Sequence, residues 1–251
     1  MFNSSFSSFS LARPGDQPPD ASFELPGDCV PLSSLTPPHP ALDYLSSRER
    51  PFDPAVLSRS YGVCWCRSSG FPTAEKRIII PVFQGGVLKG WQARYPGELD
   101  WKAKGAPPKY WGAPRMRKRS LVYNIDRAAA YGTVAVCEGV TDVWSFGSMA
   151  VALLGCSLSE DQLTTLTSAA RGATFAVLLD ADKAGKRAVD DLARRIARKA
   201  GPGKVAVVGL PDGKDPGSLP RAYLRSHVLE AMKAAGVPVS FLKRREADDA
   251  T

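Results

Sequence analysis

Two short apolar runs, Val134–Cys137 and Thr174–Leu179, are each followed by carboxylates. These carboxylates are Glu138, Asp142, Asp180 and Asp182. A short apolar run predicts a buried strand, and ligands of open α/β sheets bind beyond the carboxyl ends of the strands. Carboxylates gathered in one crevice repel each other unless cations lie between them. Hard oxygen ligands suit Mg²⁺ or Mn²⁺ bound together with phosphates, so the spacing predicts a site for such ions.

Each carboxylate also has an alternative interpretation. Glu138 precedes Gly139, which lets the backbone turn tightly, but it could be a surface side chain of a strand–helix loop. Asp180 and Asp182 can enter one crevice together as the chain turns, although Asp182 could be a helix N-cap or part of a plain turn. Asp142 lies one turn after Glu138, where an acidic residue also suits a helix start. The candidate catalytic residues are Glu138, Asp180 and Asp182; whether Glu138 binds metal or transfers protons stays open.

Strand and helix patterns alternate between residues 133 and 219, which predicts a parallel α/β sheet with right-handed crossovers. The predicted strands are Val134–Cys137, Ala150–Leu154, Thr174–Leu179 and Val205–Gly209. The predicted helices are Thr141–Phe146, Glu160–Ala170 and Ala184–Ala200. The strand ends and the helix starts together have to position the carboxylates.

A smaller, basic α+β subdomain is predicted before this sheet, over residues 49–130. Arg77–Phe83 and Val87–Tyr95 flank the turn Gly85-Gly86, which predicts a hairpin, and a strand over Leu121–Tyr123 is predicted later in the subdomain. The formal net charge of the chain is +8, and a cationic surplus favours a polyanionic partner. The candidate nucleotide- or DNA-binding residues are Arg94, Lys109, Arg115, Arg117, Lys118, Arg119 and Lys183. Trp101, Tyr110 and Trp111 could stack on unpaired bases or could equally pack a core.

The remaining segments are predicted from composition. Residues 1–48 are rich in Ser and Pro and are expected to form a disordered arm, with Tyr44 and Leu45 among the apolar points that could dock. Residues 131–225 form the catalytic domain, and 226–251 a helix and a charged tail. No secretory signal or membrane span is apparent, and five cysteines without a disulfide pattern favour a reducing compartment. A cytoplasmic location is expected.

Three acidic motifs carry a resemblance to a known family. Glu138-Gly-x-x-Asp142, Asp180-x-Asp182 and Leu210-Pro-Asp-Gly-x-Asp-Pro216 occur in the order and spacing that resemble the Toprim domain of DnaG-type bacterial and phage primases. The resemblance covers about Thr133 to Leu219 and implies a Rossmann-like parallel sheet with helices on both faces. It makes Asp215 a further acidic metal-binding position. Many relatives carry another acidic residue where this chain has Gly217.

A looser resemblance covers about residues 77–130, the basic subdomain that precedes Toprim in these primases. It implies that Arg94, Lys109 and Lys118 hold template and nucleotide phosphates. The expected partners are a single-stranded DNA template, nucleoside triphosphates and a separate replicative helicase, with no membrane. Cys64-x-Cys66 lacks the spacing of a zinc module, so no zinc is expected. Small size and missing modules would fit a phage or mobile element.

Three functions remain open at this stage. The first is a DNA-directed RNA polymerase of primase type, which makes short RNA primers with two divalent ions. The second is a Toprim metal-dependent nuclease. The third is an inactive, primase-like subunit that binds single-stranded DNA, which the missing zinc module and Gly217 keep open.

Overall fold

Two β-sheets form the framework of the protein. The computed structural model describes residues 23–97, 99–100, 103–155, 157–178 and 183–244, and for residues 183–188 the backbone alone. Within these ranges a five-stranded antiparallel sheet precedes a four-stranded parallel sheet in the chain. The predicted α/β class, with a parallel Toprim-like sheet after a mixed α+β subdomain, is confirmed. The predicted domain boundaries stay predictions.

The antiparallel sheet has the strand order β1-β2-β3-β4-β5. Its strands are β1 (Gly27–Pro31), β2 (Cys64–Ser69), β3 (Arg77–Gln84), β4 (Val87–Arg94) and β5 (Tyr110–Gly112). The predicted hairpin is β3–β4, and its two turn glycines have φ values of 64° and 72°, a region that glycine adopts without strain. Since side chains alternate along a strand, Ile78 and Ile80 face the main core while Ile79 faces the opposite side.

The parallel sheet has the strand order β7-β6-β8-β9. Its strands are β6 (Thr133–Cys137), β7 (Ala150–Ala152), β8 (Thr174–Val177) and β9 (Val205–Val207). The helices are α3 (Ile125–Ala128), α4 (Val140–Phe146), α5 (Glu160–Ala169), α6 (Lys183–Ala200) and α7 (Arg221–Ala234). Helices α4 and α7 pack on one face, and α3, α5 and α6 on the other. Both faces are therefore buried, as the continuous apolar runs of a parallel sheet require.

The predicted disordered arm is wrong for residues 27–47, which are ordered. Strand β1 and helix α1 (Pro40–Ser47) lie there, and α2 (Pro54–Tyr61) follows. Leu32, Tyr44 and Leu45 are at most 3% exposed, so this segment buries enough apolar surface to offset its chain entropy. Within this segment Pro40 begins α1, where a missing N–H costs nothing. Residues 1–22 lie outside the described chain.

The segment before the parallel sheet also differs from expectation. A strand over Leu121–Tyr123 was predicted, but this stretch makes only an isolated bridge from Tyr123 to Ala152. Asn124 follows with a left-handed φ of 63°, which ends any extended run. Its amide donates to the carbonyl oxygens of Ser148 and Ala150 at 3.0 and 2.7 Å, so tertiary hydrogen bonds decide the local conformation.

The two sheets share one hydrophobic core rather than forming separate cores. Tyr61 stacks on Tyr123 with ring centroids 6.2 Å apart, and Phe52 meets Trp144 edge-on at 5.4 Å. The Trp144 indole N–H donates to the Tyr123 hydroxyl at 3.0 Å. These contacts hold the basic subdomain against the carboxyl edge of the parallel sheet. Of the described helices, none combines the length and apolar character that a membrane crossing needs.

Candidate active site

The carboxyl ends of three neighbouring strands meet at one edge of the parallel sheet. The Leu153 N–H, just after β7, donates to the carbonyl of Cys137 at the end of β6 at 3.1 Å. The Leu178 N–H, just after β8, donates to the carbonyl of Val136 at 2.9 Å. Glu138 therefore leaves the sheet at the edge toward which β8 also runs. Asp180 and Asp182 lie outside the described residues, and their convergence with Glu138 stays a prediction.

Asp142 lies in the first turn of α4 and is only 5% exposed. Its Oδ2 accepts the N–H of Gly139 at 2.8 Å, which caps the helix. The helix-start interpretation of this residue therefore holds, since Oδ2 accepts a hydrogen bond in the first turn, while Oδ1 lies beside the loop that contains Asp215. Metal binding by Asp142 stays a prediction.

Gly217 separates the carboxylates of Asp142 and Asp215. A Cβ on Gly217 would lie 3.0 Å from Asp215 Oδ1, 3.1 Å from Asp142 Oδ1 and 3.6 Å from the Thr141 hydroxyl. The Ser145 hydroxyl donates to the Gly217 carbonyl at 3.1 Å and anchors this loop to α4. The missing side chain thus lets two carboxylate oxygens lie close to the backbone of Gly217.

The carboxylates beside Gly217 pass a simple test for a divalent cation. Asp215 Oδ1 is buried and accepts no hydrogen bond from the described part of the chain. An orphaned carboxylate oxygen is costly unless an ion or water satisfies it, and Asp142 Oδ1 lies nearby. Within the described ranges, no three His, Cys, Asp or Glu side chains form a complete metal site. The carboxylates present therefore fit a Mg²⁺ or Mn²⁺ ion that takes further ligands from residues outside those ranges or from substrate.

Arg94 lies beneath this edge between two tyrosines. Its Nε donates to the Tyr44 hydroxyl at 3.0 Å, and its guanidinium lies 4.7 Å from the Tyr44 ring centroid and 5.2 Å from that of Tyr110. Burial, with smaller contributions from Tyr44 and Asp142, raises the pKa of Tyr110, while Arg94 and Arg48 oppose the rise. Asp142 therefore lies within electrostatic range of the Tyr110 hydroxyl. Arg94 itself is 1% exposed.

The exposed basic residues fall into two groups. The Lys118 ammonium lies 3.9 Å from the Cβ position of Gly155, in the loop after β7, and so at the carboxyl edge. Arg117 and Arg119 flank it and are exposed. Arg115 instead lines a groove with Trp91 on the opposite face of the antiparallel sheet. Arg115 is therefore separated from the other three.

Lys109 and Lys183 are the two remaining residues that were predicted to bind nucleotide or DNA. Lys109 is exposed just before β5, and its backbone carbonyl accepts the Tyr95 N–H at 3.1 Å. Lys183 begins α6, and its side chain lies outside the described atoms.

The end of α1 contributes residues that the sequence prediction missed. Arg48 lies with its guanidinium 5.8 Å from the Tyr44 ring centroid, and its charge acts on Tyr110. Glu49 forms an ion pair of 2.6 Å with Lys214, the residue before Asp215. The i, i+4 spacing of Tyr44 and Arg48 was the available signal, because it places both side chains on one helix face. The assignment of this segment to a disordered arm hid it.

Comparisons with known proteins agree with this architecture. Residues 135–219 match a family model described as Toprim-like. The chain is 28% identical over 190 residues to a DNA primase of Synechococcus elongatus. This matched region covers 69% of the present chain and 26% of the relative. The chain thus spans about a quarter of the length of this curated relative.

Solved structures show the same fold. The RNA polymerase domain of the Mycobacterium tuberculosis primase DnaG superposes with a TM-score of 0.61 at 22% identity, covering 78% of each chain. A DnaG primase catalytic domain bound to single-stranded DNA superposes with a TM-score of 0.62 at 22% identity, covering 82% of this chain and 75% of that one. The likeness of this chain to the catalytic core of DnaG-type primases, with a Toprim-like domain over residues 135–219, is therefore confirmed.

Proposed function

We propose that this protein is a primase-type nucleotidyltransferase that joins ribonucleotides on a single-stranded DNA template. The observation that carries the proposal is that Asp142 Oδ1 and Asp215 Oδ1 lie 3.1 and 3.0 Å from the Cβ position of Gly217. Asp142 is in the helix that follows β6 and Glu138. Exposed cationic side chains beside an acidic edge suit a reaction between polyanions, in which the protein supplies position and charge.

The residues that would hold divalent ions are carboxylates: Glu138, Asp142, Asp180, Asp182 and Asp215. When bound, Mg²⁺ or Mn²⁺ would favour ionisation of the attacking 3′ hydroxyl and neutralise charge on the leaving pyrophosphate. Asp142 would orient one oxygen toward this site because its other oxygen is held by the Gly139 N–H at 2.8 Å.

The cationic residues would bind the phosphates of template and nucleotide. Lys118 extends beside the loop after β7, so its ammonium is the candidate closest to the acidic edge. Lys109, Arg117 and Arg119 are exposed, so their side chains lie where a phosphate backbone could contact them. Arg94 is buried between tyrosines, so it would act mainly by adding positive potential beneath the site rather than by reaching into solvent.

The expected partners follow from this chemistry. The related catalytic domain whose structure contains single-stranded DNA supports a single-stranded template for this chain as well. Nucleoside triphosphates would be the second substrate. A replicative helicase that supplies the template would be a further partner.

The test is synthesis of oligoribonucleotides on single-stranded DNA with Mg²⁺ or Mn²⁺. We expect product from the wild type, and none from Glu138→Ala or Asp180→Ala with DNA binding retained. Asp190→Ala is the matched control, because Asp190 is an exposed carboxylate on α6. Full synthesis by Asp180→Ala would refute the proposal.

The same experiment separates the two other functions. Cleavage of DNA without added nucleotides would identify a metal-dependent nuclease. Tight binding of single-stranded DNA with no synthesis under either metal would identify an inactive subunit. Gly217 is the observation that favours this last outcome, because it replaces an acidic position by a glycine beside two carboxylates.

A further inference from the structure

Three cysteines lie together on the face of the antiparallel sheet that points away from the shared core. Cys29 is on β1, and Cys64 and Cys66 are on β2. All three pack into the small cluster that contains Ile79 and Trp91. They lie outside the acidic edge, and the proposed polymerase chemistry does not use them.

The thiols differ in how far solvent reaches them. Cys64 and Cys66 are 5% and 0% exposed, whereas Cys29 is partly exposed. Cys29 interacts directly with the side chains of both other cysteines. All three are free thiols in this structure. An oxidant would therefore reach Cys29 first and find two further thiols beside it.

The strand register selects the partner of Cys29. Cys29 pairs directly with Cys66 across the antiparallel strands, next to a bulge between Asp28 and Cys29. Directly opposed residues in such a pair have Cα atoms about 4.5 to 5.5 Å apart, which lies within the range that a disulfide spans. Cys64 is opposed to Pro31 and is diagonal to Cys29, at a Cα separation of about 7 to 8 Å, which is too long.

We propose that Cys29 and Cys66 are a site of reversible oxidation, at which a hydroperoxide converts the two thiols into a cross-strand disulfide. The Cys29 thiolate attacks one oxygen of the O–O bond, forms a sulfenic acid and releases water or alcohol. The Cys66 sulfur then attacks the Cys29 sulfur, the S–S bond forms, and the sulfenic oxygen leaves as water. Two electrons pass from the two sulfurs to the peroxide, and both thiol protons end on the released oxygens.

The environment makes the reaction slow rather than forbidden. The hydrogen bond with Cys64, followed by burial, raises the pKa of Cys29, and burial with the charge of Cys29 raises the pKa of Cys66 to about 12. The thiolate is the reacting form, so oxidation needs long incubation or a high peroxide concentration. This site suits a slow response to sustained oxidation and not rapid catalysis.

The disulfide would close a loop that carries part of the candidate active site. The chain between Cys29 and Cys66 contains α1 and α2, and with them Tyr44 and Arg48. A cross-link of this kind lowers the entropy of the unfolded chain, so oxidation would raise the melting temperature by on the order of 10 °C. It would tie the α1 segment to the sheet without touching the carboxylates.

The experiment compares reduced and peroxide-treated full-length protein by mass spectrometry of the intact chain and of its proteolytic peptides, after blocking free thiols. We expect a loss of two hydrogen atoms, a cross-linked peptide pair that contains Cys29 and Cys66, and a higher melting temperature that reductant reverses. Cys66→Ser should abolish both effects, whereas Cys64→Ser and Cys137→Ser should retain them. Cys66→Ala replaces Cys66→Ser if the serine variant does not fold.

Three results would overturn the proposal. The first is a Cys29–Cys64 cross-link in the wild type. The second is Cys29 recovered as a blocked thiol, or as an over-oxidised acid, with no cross-linked peptide. The third is an unchanged rise in melting temperature in Cys66→Ser, which would mean that another cysteine pair is responsible.

Discussion

A methyl group added at Gly217 would crowd the two carboxylates beside it, and this should weaken divalent-ion binding. In Gly217→Ala the new Cβ would lie 3.0 and 3.1 Å from the facing oxygens of Asp215 and Asp142, while ordinary contacts begin near 3.4 Å. Each oxygen then has to move by about 0.3 to 0.4 Å. Mg²⁺ tolerates little change in its short oxygen distances, and overpacking of this kind costs about 1–3 kcal/mol. We expect about a tenfold weaker apparent affinity for Mg²⁺, equal to about 1.4 kcal/mol.

The assay is nucleotide incorporation titrated with Mg²⁺ and Mn²⁺, together with calorimetric Mn²⁺ binding. Gly209→Ala is the matched control, because Gly209 is exposed and a Cβ there would meet nothing within 4 Å. Neither glycine has a left-handed φ, so alanine strains neither backbone. Wild-type metal affinity in folded Gly217→Ala would show that Asp142 and Asp215 do not share an ion.

The remaining predictions concern stability. Gln162 is 2% exposed, and its side-chain amide donates to two buried backbone carbonyls at 2.8 and 2.9 Å. Gln162→Leu should therefore lower the free energy of unfolding, measured by urea denaturation, by about 2–3 kcal/mol. An unchanged free energy of unfolding would contradict this prediction. The Asp126 carboxylate accepts hydrogen bonds from the N–H groups of both turn glycines between β3 and β4, at 2.8 and 2.9 Å. Asp126→Ala should lower the free energy of unfolding by about 1 kcal/mol and increase amide hydrogen exchange in that turn. Unchanged exchange would show that Asp126 does not stabilise the turn. Burial raises the pKa of Tyr61, Tyr110 and Tyr123 above the ordinary 10.0, so above pH 10 the unfolded chain binds fewer protons and stability falls as pH rises. Tyr110→Phe should reduce that slope by about 1.4 kcal/mol per pH unit, and an equal slope would count against its burial in the folded state.

The alternation of apolar runs with amphipathic helices predicted most of the parallel sheet. Periodicity is a local property, so β6, β8 and α6 were predicted within a few residues of their observed bounds. The β3–β4 hairpin was predicted for the same reason, because its two turn glycines and flanking strands are contiguous in the chain. Boundaries differed where tertiary hydrogen bonds decided them, as at Asn124.

The N-terminal segment shows where local patterns fail. Composition alone predicted disorder for residues 1–48, because Pro and Ser lower the average apolar content of a window. Stability depends instead on whether a few apolar side chains find a buried surface. Tyr44 and Leu45 are buried in the core that both sheets share. The residues of that core are far apart in the chain, so a local sequence window does not contain them.

The amino-acid sequence by itself determined the acidic residue types, their order along the chain and the alternation that places them after strands, since these depend on neighbours a few positions apart. Only the tertiary structure decided that Asp142 and Asp215 both lie beside Gly217 and that Arg94 is buried between Tyr44 and Tyr110. It also decided that Arg115 lines a groove with Trp91, while Lys118 extends toward Gly155. Each of these depends on distances between residues far apart in the chain, and such distances are set by how whole elements pack around the shared core.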